Sequence, residues 1–123
     1  MKFSGICLIT DRVPTLVRFY EKVFSSKAEG DNEHADFYFA DMNLSIFSKE
    51  SMEQLAKGSM HQAGYGGFTM GFEVDDVDAE YERLKTLGVE FVKRPTTHPW
   101  GCRSLWFRDP DGNIIDFLCR VTK

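Results

Sequence analysis

The chain has 123 residues, of which 42% are apolar and 14% aromatic, and carries a net charge of −4. That length suits one hydrophobic core rather than two ordinary domains, and a domain of this size folds without disulfide or metal staples. No lysine- or arginine-rich run is present, which sets aside nucleic acid as a partner, and no apolar stretch approaches the roughly 20 residues that cross a bilayer, which sets aside the membrane.

In chain order, residues 3–9 (FSGICLI) read as a strand. The N-terminus therefore starts directly in strand-like sequence, without the charged, apolar and cleavage regions of a secretory signal, and the expectation is a cytoplasmic protein. Cys7, Cys102 and Cys119 agree. An odd count with neither framework spacing nor a Cys-x-x-Cys pair reads as reduced, mostly buried thiols. TDRVPT opens a helix, with Asp11 placed to cap it and Pro14 tolerated in the first turn. Leu16, Tyr20, Val23 and Phe24 recur at helical spacing to about residue 24. ADFYFA and NLSIFS then read as two strands joined at Asp41-Met42. Residues 49–67 are polar and end in glycines, the pattern of a short helix and a flexible linker.

The pattern restarts with FTMGFEV as a strand. DDVDAEYERLKTLG is a helix capped near Asp76, with Val77, Tyr81, Leu84 and Leu87 on one face and Gly88 ending it. The acidic cluster Asp75, Asp76 and Asp78 favours the dipole at its N-terminus. VEFVKR is a strand, and CRSLWFRDPDGNIIDFLCRV is a hairpin whose DPDGN turn places Pro, Asp and Gly where a tight turn needs them. Strand, helix and three strands thus occur twice, an internal repeat of about 60 residues. The fold class is α+β, a single domain with module one at about 1–48, a linker at 49–66 and module two at about 67–123.

Strand side chains alternate between faces. Phe68, Met70, Phe72 and Val74 are placed on the helix-covered side, as are Phe37, Phe39, Leu44 and Ile46 in the first module and Cys119 in the second. Closing the last hairpin at Asp109 and Asn113 pairs Phe107 with Ile115 and Leu105 with Phe117 on that side. On the other side it sets Trp106 opposite Asp116 and Ser104 opposite Leu118. The second face therefore mixes Tyr38, Phe47, Trp106 and Leu118 with Gly5, Cys7, Ser45, Thr69, Gly71, Glu73 and Asp116. Large rings among a few polar groups and small residues describe a concave ligand wall.

The segments ITDRVPTLVRFYEKVF, GFTMGFEVDDVDAEYERLKTLGVEF and PWGCRSLWFRDPDGNIIDFL, in that order, resemble the vicinal oxygen chelate superfamily. This group includes glyoxalase I, bleomycin-resistance proteins, extradiol dioxygenases and fosfomycin-resistance enzymes. The resemblance implies two tandem βαβββ modules forming a curved mixed sheet around a cavity, helices on the outer face, and a homodimer. Metal-dependent members place one ligand on each of four strands, and the matching positions here are Gly5, Ser45, Thr69 and Asp116. Gly5 has no side chain, hydroxyls substitute poorly for imidazole, and one carboxylate does not hold a divalent ion alone. The expectation is therefore a small-molecule-binding protein with no metal and no cofactor, similar to the bleomycin-resistance-like branch, sequestering an aromatic or cationic compound. The alternative is a glyoxalase-like lyase, isomerase or dioxygenase with a degenerate metal site.

The expected ligand-binding residues are Tyr38, Ser45, Phe47, Thr69, Trp100, Trp106 and Asp116, with no catalytic residue assigned. The tryptophans would stack on a planar ligand. Asp116 would accept a hydrogen bond or meet a ligand cation, its alternative being an ion pair with Arg103, Arg108 or Arg120. Cys102 has no histidine placed in sequence to activate it. His34, His61 and His98 fall in connections and read as solvated.

Overall fold

The computed structural model describes residues 1–64 and 67–121. The glycine-rich end of the expected linker, at 65 and 66, lies outside them. The chain divides into two compact units, Met1–Ala63 and Gly64–Lys123.

The first unit runs β1 (Gly5–Thr10), α1 (Val13–Phe24), β2 (Glu29–Gly30), β3 (His34–Tyr38), β4 (Asn43–Ser48) and α2 (Lys49–Leu55). Its sheet has the order β1-β4-β3-β2, with β1 parallel to β4 and the other pairs antiparallel. Pro14 sits in the first turn of α1, where its missing N–H costs nothing. Val13, Leu16, Tyr20 and Val23 give this helix its buried stripe, which meets Phe37, Leu44 and Ile46 of the sheet, all buried. The cap differs from expectation. Arg12 occupies the N-cap position without a side-chain capping bond, its own N–H donates to Thr10 Oγ1 at 3.0 Å, and Asp11 forms an ion pair with Lys49. Ser48 caps α2 by accepting from the Ser51 N–H.

The second unit runs β5 (Thr69–Glu73), α3 (Val77–Thr86), β6 (Glu90–His98), β7 (Cys102–Arg108) and β8 (Ile114–Arg120). Its order, β5-β8-β7-β6, repeats that of the first, with β5 parallel to β8. Asp76 caps α3 by accepting from the Ala79 N–H at 3.0 Å. Val77 and Leu84 of this helix are buried, as are Leu105, Phe107, Ile115 and Phe117 of the sheet. Removing each such side chain from water stabilises the unit by about 1.5–3 kcal/mol. The β7–β8 turn is fixed by Asp109, whose carboxylate accepts from the Asp111 and Asn113 N–H groups and from Asn113 Nδ2. That turn sets the register, so Trp106 faces Asp116, Phe107 faces Ile115, Leu105 faces Phe117 and Ser104 faces Leu118, as the hairpin reading expects.

Several expectations are corrected. His34 and His98 are strand residues, at the start of β3 and the end of β6, rather than loop residues. β2 has only two residues, too few for any alternation to show in the sequence. Cys7 is exposed and Cys102 and Cys119 are half-buried, so no thiol is a core residue. Phe68 and Leu87, expected on the helix-facing side, lie just outside β5 and α3 and are substantially exposed.

Candidate functional site

In each sheet the face away from the helix can be followed rung by rung. In the first unit the third rung joins Cys7, Ser45 and Asp36, with Glu29 beyond. Ser45 Oγ donates to Asp36 Oδ1 at 2.5 Å, and His34 Nε2 lies 3.2 Å from the same oxygen. Phe47 meets the His34 ring edge-on at 5.3 Å between centroids. Partial burial and the nearby Asp36 carboxylate push the Cys7 thiol pKa up, which works against a reactive thiolate. Tyr38 stands at the far end of β3, 58% exposed.

In the second unit the third rung joins Gly71, Asp116, Trp106 and Lys93. Lys93 Nζ lies 2.7 Å from Ser104 Oγ, 3.0 Å from the Ser104 carbonyl oxygen and 3.0 Å from His98 Nε2. It also sits 5.2 Å from the centre of the Trp106 ring. His98 stacks flat on Trp100, with centroids 4.5 Å apart and planes 1° from parallel. A continuous series thus leads from Trp100 through His98 and Lys93 to Trp106 and Asp116.

Two atoms in this series are buried without a hydrogen-bond partner, Trp106 Nε1 and Asp116 Oδ1. The indole helps stabilise the ionised carboxyl but does not reach hydrogen-bonding geometry with it. Burial pushes the Asp116 pKa up, and the positive charge of Lys93 is the strongest opposing influence. Desolvation lowers the Lys93 pKa, and Asp116 opposes that shift. Two of the three expected arginine partners of Asp116 are engaged elsewhere: Arg103 makes a two-pronged pair with Asp78, and Arg108 reaches Glu90 at 3.5 Å.

The structure therefore brings Trp106 and Asp116 together directly, and Trp100 to them through His98 and Lys93. Ser45 and Phe47 share the corresponding face of the first unit. Thr69 lies one same-face step from the Asp116 rung, opposite Ile114, and is exposed. Sequence reading missed Lys93, His98, His34 and Asp36. Lys93 carried no usable signal, because β6 breaks register on both sides of it, between Phe91 and Lys93 and between Lys93 and Thr96. Asp36 was legible as the cross-strand neighbour of Ser45 once the β3–β4 turn was placed. An open depression of about 440 Å³ lies elsewhere on this unit, lined by Glu90, Arg108 and the Asp109–Gly112 turn. It includes neither tryptophan.

The four family metal positions do not fit a divalent ion. A Cβ on Gly5 would lie 2.2 Å from the Asn43 carbonyl oxygen, so backbone occupies the place of any side-chain ligand there. Ser45 is committed to Asp36. Among the described residues no three His, Cys, Asp or Glu side chains gather in a metal-holding group.

Two βαβββ units, each with helix laid on a four-stranded mixed sheet, define a tandem-module α+β class of protein. The chain belongs to the Glyoxalase/Bleomycin resistance protein/Dioxygenase superfamily, whose model matches residues 2–117. The uncharacterized protein YraH of Bacillus subtilis (strain 168) is 30% identical over 123 residues, covering 94% of this chain and 96% of YraH. Among solved structures, a glyoxalase/bleomycin resistance protein/dioxygenase family enzyme from Burkholderia phytofirmans PsJN superimposes with a TM-score of 0.87 at 16% identity, covering 98% of this chain and 100% of that one. Virulence protein STM3117 from Salmonella typhimurium does so at 0.78 and 24% identity, with 98% of each chain covered. These two likenesses speak for the fold.

Proposed function

We propose that this protein binds a small planar organic molecule on the open face of its second unit, without a metal, and sequesters it unchanged. The observation that carries this reading is the unpartnered pair, Trp106 Nε1 and Asp116 Oδ1. A buried donor and acceptor left open cost about 1–3 kcal/mol each, so a partner that supplies the missing bonds binds with that gain. The rings of Trp106 and Trp100 supply the flat surfaces that such a molecule needs. Thr69, on the same face of this unit, is assigned a supporting contact, and the protein is expected to act as a homodimer.

The 3.0 Å approach of Lys93 to His98 favours a second reading, a metal-independent enzyme using this pair and Asp116 for proton transfer. Two measurements separate the possibilities. After incubation with nickel, cobalt, zinc, manganese and iron(II) and exhaustive dialysis, well under one metal per chain is expected; one metal per chain, lost in Asp116→Ala, overturns the proposal. A bound compound recovered chemically unchanged supports sequestration. Conversion that disappears in Asp116→Asn establishes the enzyme instead.

A further inference from the structure

Asp116 beside Trp106 has the makings of a cation site, a carboxylate next to an aromatic face. The place of the cation is already taken. Lys93 is the cross-strand partner of Trp106, stands 5.2 Å from the centre of its ring, and is the positive group that most strongly influences Asp116. Its ammonium is also fixed. The Ser104 carbonyl, Ser104 Oγ and His98 Nε2 provide three acceptors for its three N–H groups, with the His98 proton on Nδ1. The ring of His98 is held in turn against Trp100. Lys93 thus offers its charge to the site while its N–H donors are used, and the ammonium and the carboxylate each favour the other's charged form. What remains open is the indole donor and one carboxylate acceptor.

We infer that Lys93 is a specificity-determining residue: it acts as a built-in cation that turns organic cations away and selects an uncharged planar aromatic compound carrying an adjacent hydrogen-bond donor and acceptor. This rests on the binding reading above and names its ligand class. The acceptor of such a molecule, a ring carbonyl for instance, meets the Trp106 N–H, and its donor meets Asp116 Oδ1.

Three bicyclic probes of nearly equal shape test the inference by equilibrium dialysis at pH 7.5: neutral 2-quinolone, cationic N-methylquinolinium and anionic 2-naphthoate. The wild-type protein is expected to bind 2-quinolone at least about tenfold more tightly than either charged probe, because a cation meets Lys93, an anion meets Asp116, and either must shed water to enter. Lys93→Met is expected to shift the ratio of cation to neutral binding about tenfold toward N-methylquinolinium. Asp116→Asn, which leaves the ammonium uncompensated, is expected to shift preference by a similar factor toward 2-naphthoate, and it carries the test if Lys93→Met does not fold. Lys85→Met removes one positive charge from the α3 surface and is expected to leave all three ratios unchanged. Wild-type protein that takes N-methylquinolinium as tightly as 2-quinolone, or ratios that stay fixed in both site variants, overturns the inference while leaving the binding reading intact. Binding of no probe by any of the proteins overturns the binding reading and the inference with it.

Discussion

The third rungs of the two sheets occupy the same place in the same topology, yet hold opposite chemistry. Cys7, Ser45 and Asp36 form a rung closed on itself, with the serine hydroxyl and the His34 ring both spent on one carboxylate oxygen. Gly71, Asp116, Trp106 and Lys93 form a rung with an open donor, an open acceptor and a fixed charge. Duplication supplies two equivalent frames, and a few side chains decide which of them is closed on itself and which keeps a donor and an acceptor without a bond. A small residue at one end of the second rung leaves space, since a Cβ on Gly71 would meet only the Leu118 side chain, at 3.5 Å.

The comparison can be broken most forcefully on the helix-covered faces, where the two units should behave alike. Phe107→Ala and Phe37→Ala are each expected to cost about 3–5 kcal/mol in urea unfolding, because both rings are buried between sheet and helix. A large loss in one unit and a negligible loss in the other would show that the cores are not equivalent.

The next effect is a contrast between matched first-rung positions. Gly5→Ala should cost about 1–3 kcal/mol, as the Asn43 carbonyl must move to admit the methyl group. Thr69→Ala, at an exposed site, should stay within about 0.5 kcal/mol. Equal effects would remove the steric argument against a ligand side chain at position 5.

The pH dependence of stability is a finer probe. The Asp116 pKa is raised in the folded protein, so the folded chain holds this proton more tightly than the unfolded one. Its contribution to stability therefore falls as pH rises from the ordinary 3.8 through the raised value. Asp116→Asn should flatten that part of the melting-temperature profile between low and mildly acidic pH. A profile with unchanged slope there would show that the carboxyl is not desolvated.

The smallest effect concerns the closed rung. Although Cys7 is exposed, its thiol is held protonated by burial and by Asp36, so alkylation by iodoacetamide, followed on the Cys7 peptide by mass spectrometry, should be slower than for a free thiol. Asp36→Asn should speed it a few-fold. No change would mean that the carboxylate does not reach the sulfur electrostatically.

Much of this architecture is readable before folding. The Asp109-Pro110-Asp111-Gly112-Asn113 turn pins its hairpin, and from that register Trp106 and Asp116 follow as cross-strand neighbours. The repeated apolar alternation identifies both helix-facing surfaces. What stays hidden is whatever escapes periodicity. Lys93 lies between two irregularities in β6, so the two-residue alternation that places Trp106 gives no placement for its partner. Pairing also overrides composition in β3: the acceptors and donors of β4 draw His34 into the ladder, although a polar residue at the start of a short strand looks like loop.

The irregular stretch of β6 has another consequence. This strand forms one edge of its sheet, the position at which unpaired backbone groups invite a stray chain to add on. Pro95 interrupts the line of N–H donors within the same stretch where the pairing slips. The distortion that carries Lys93 to the tryptophan therefore also spoils the edge as a template for strand-by-strand addition of another chain.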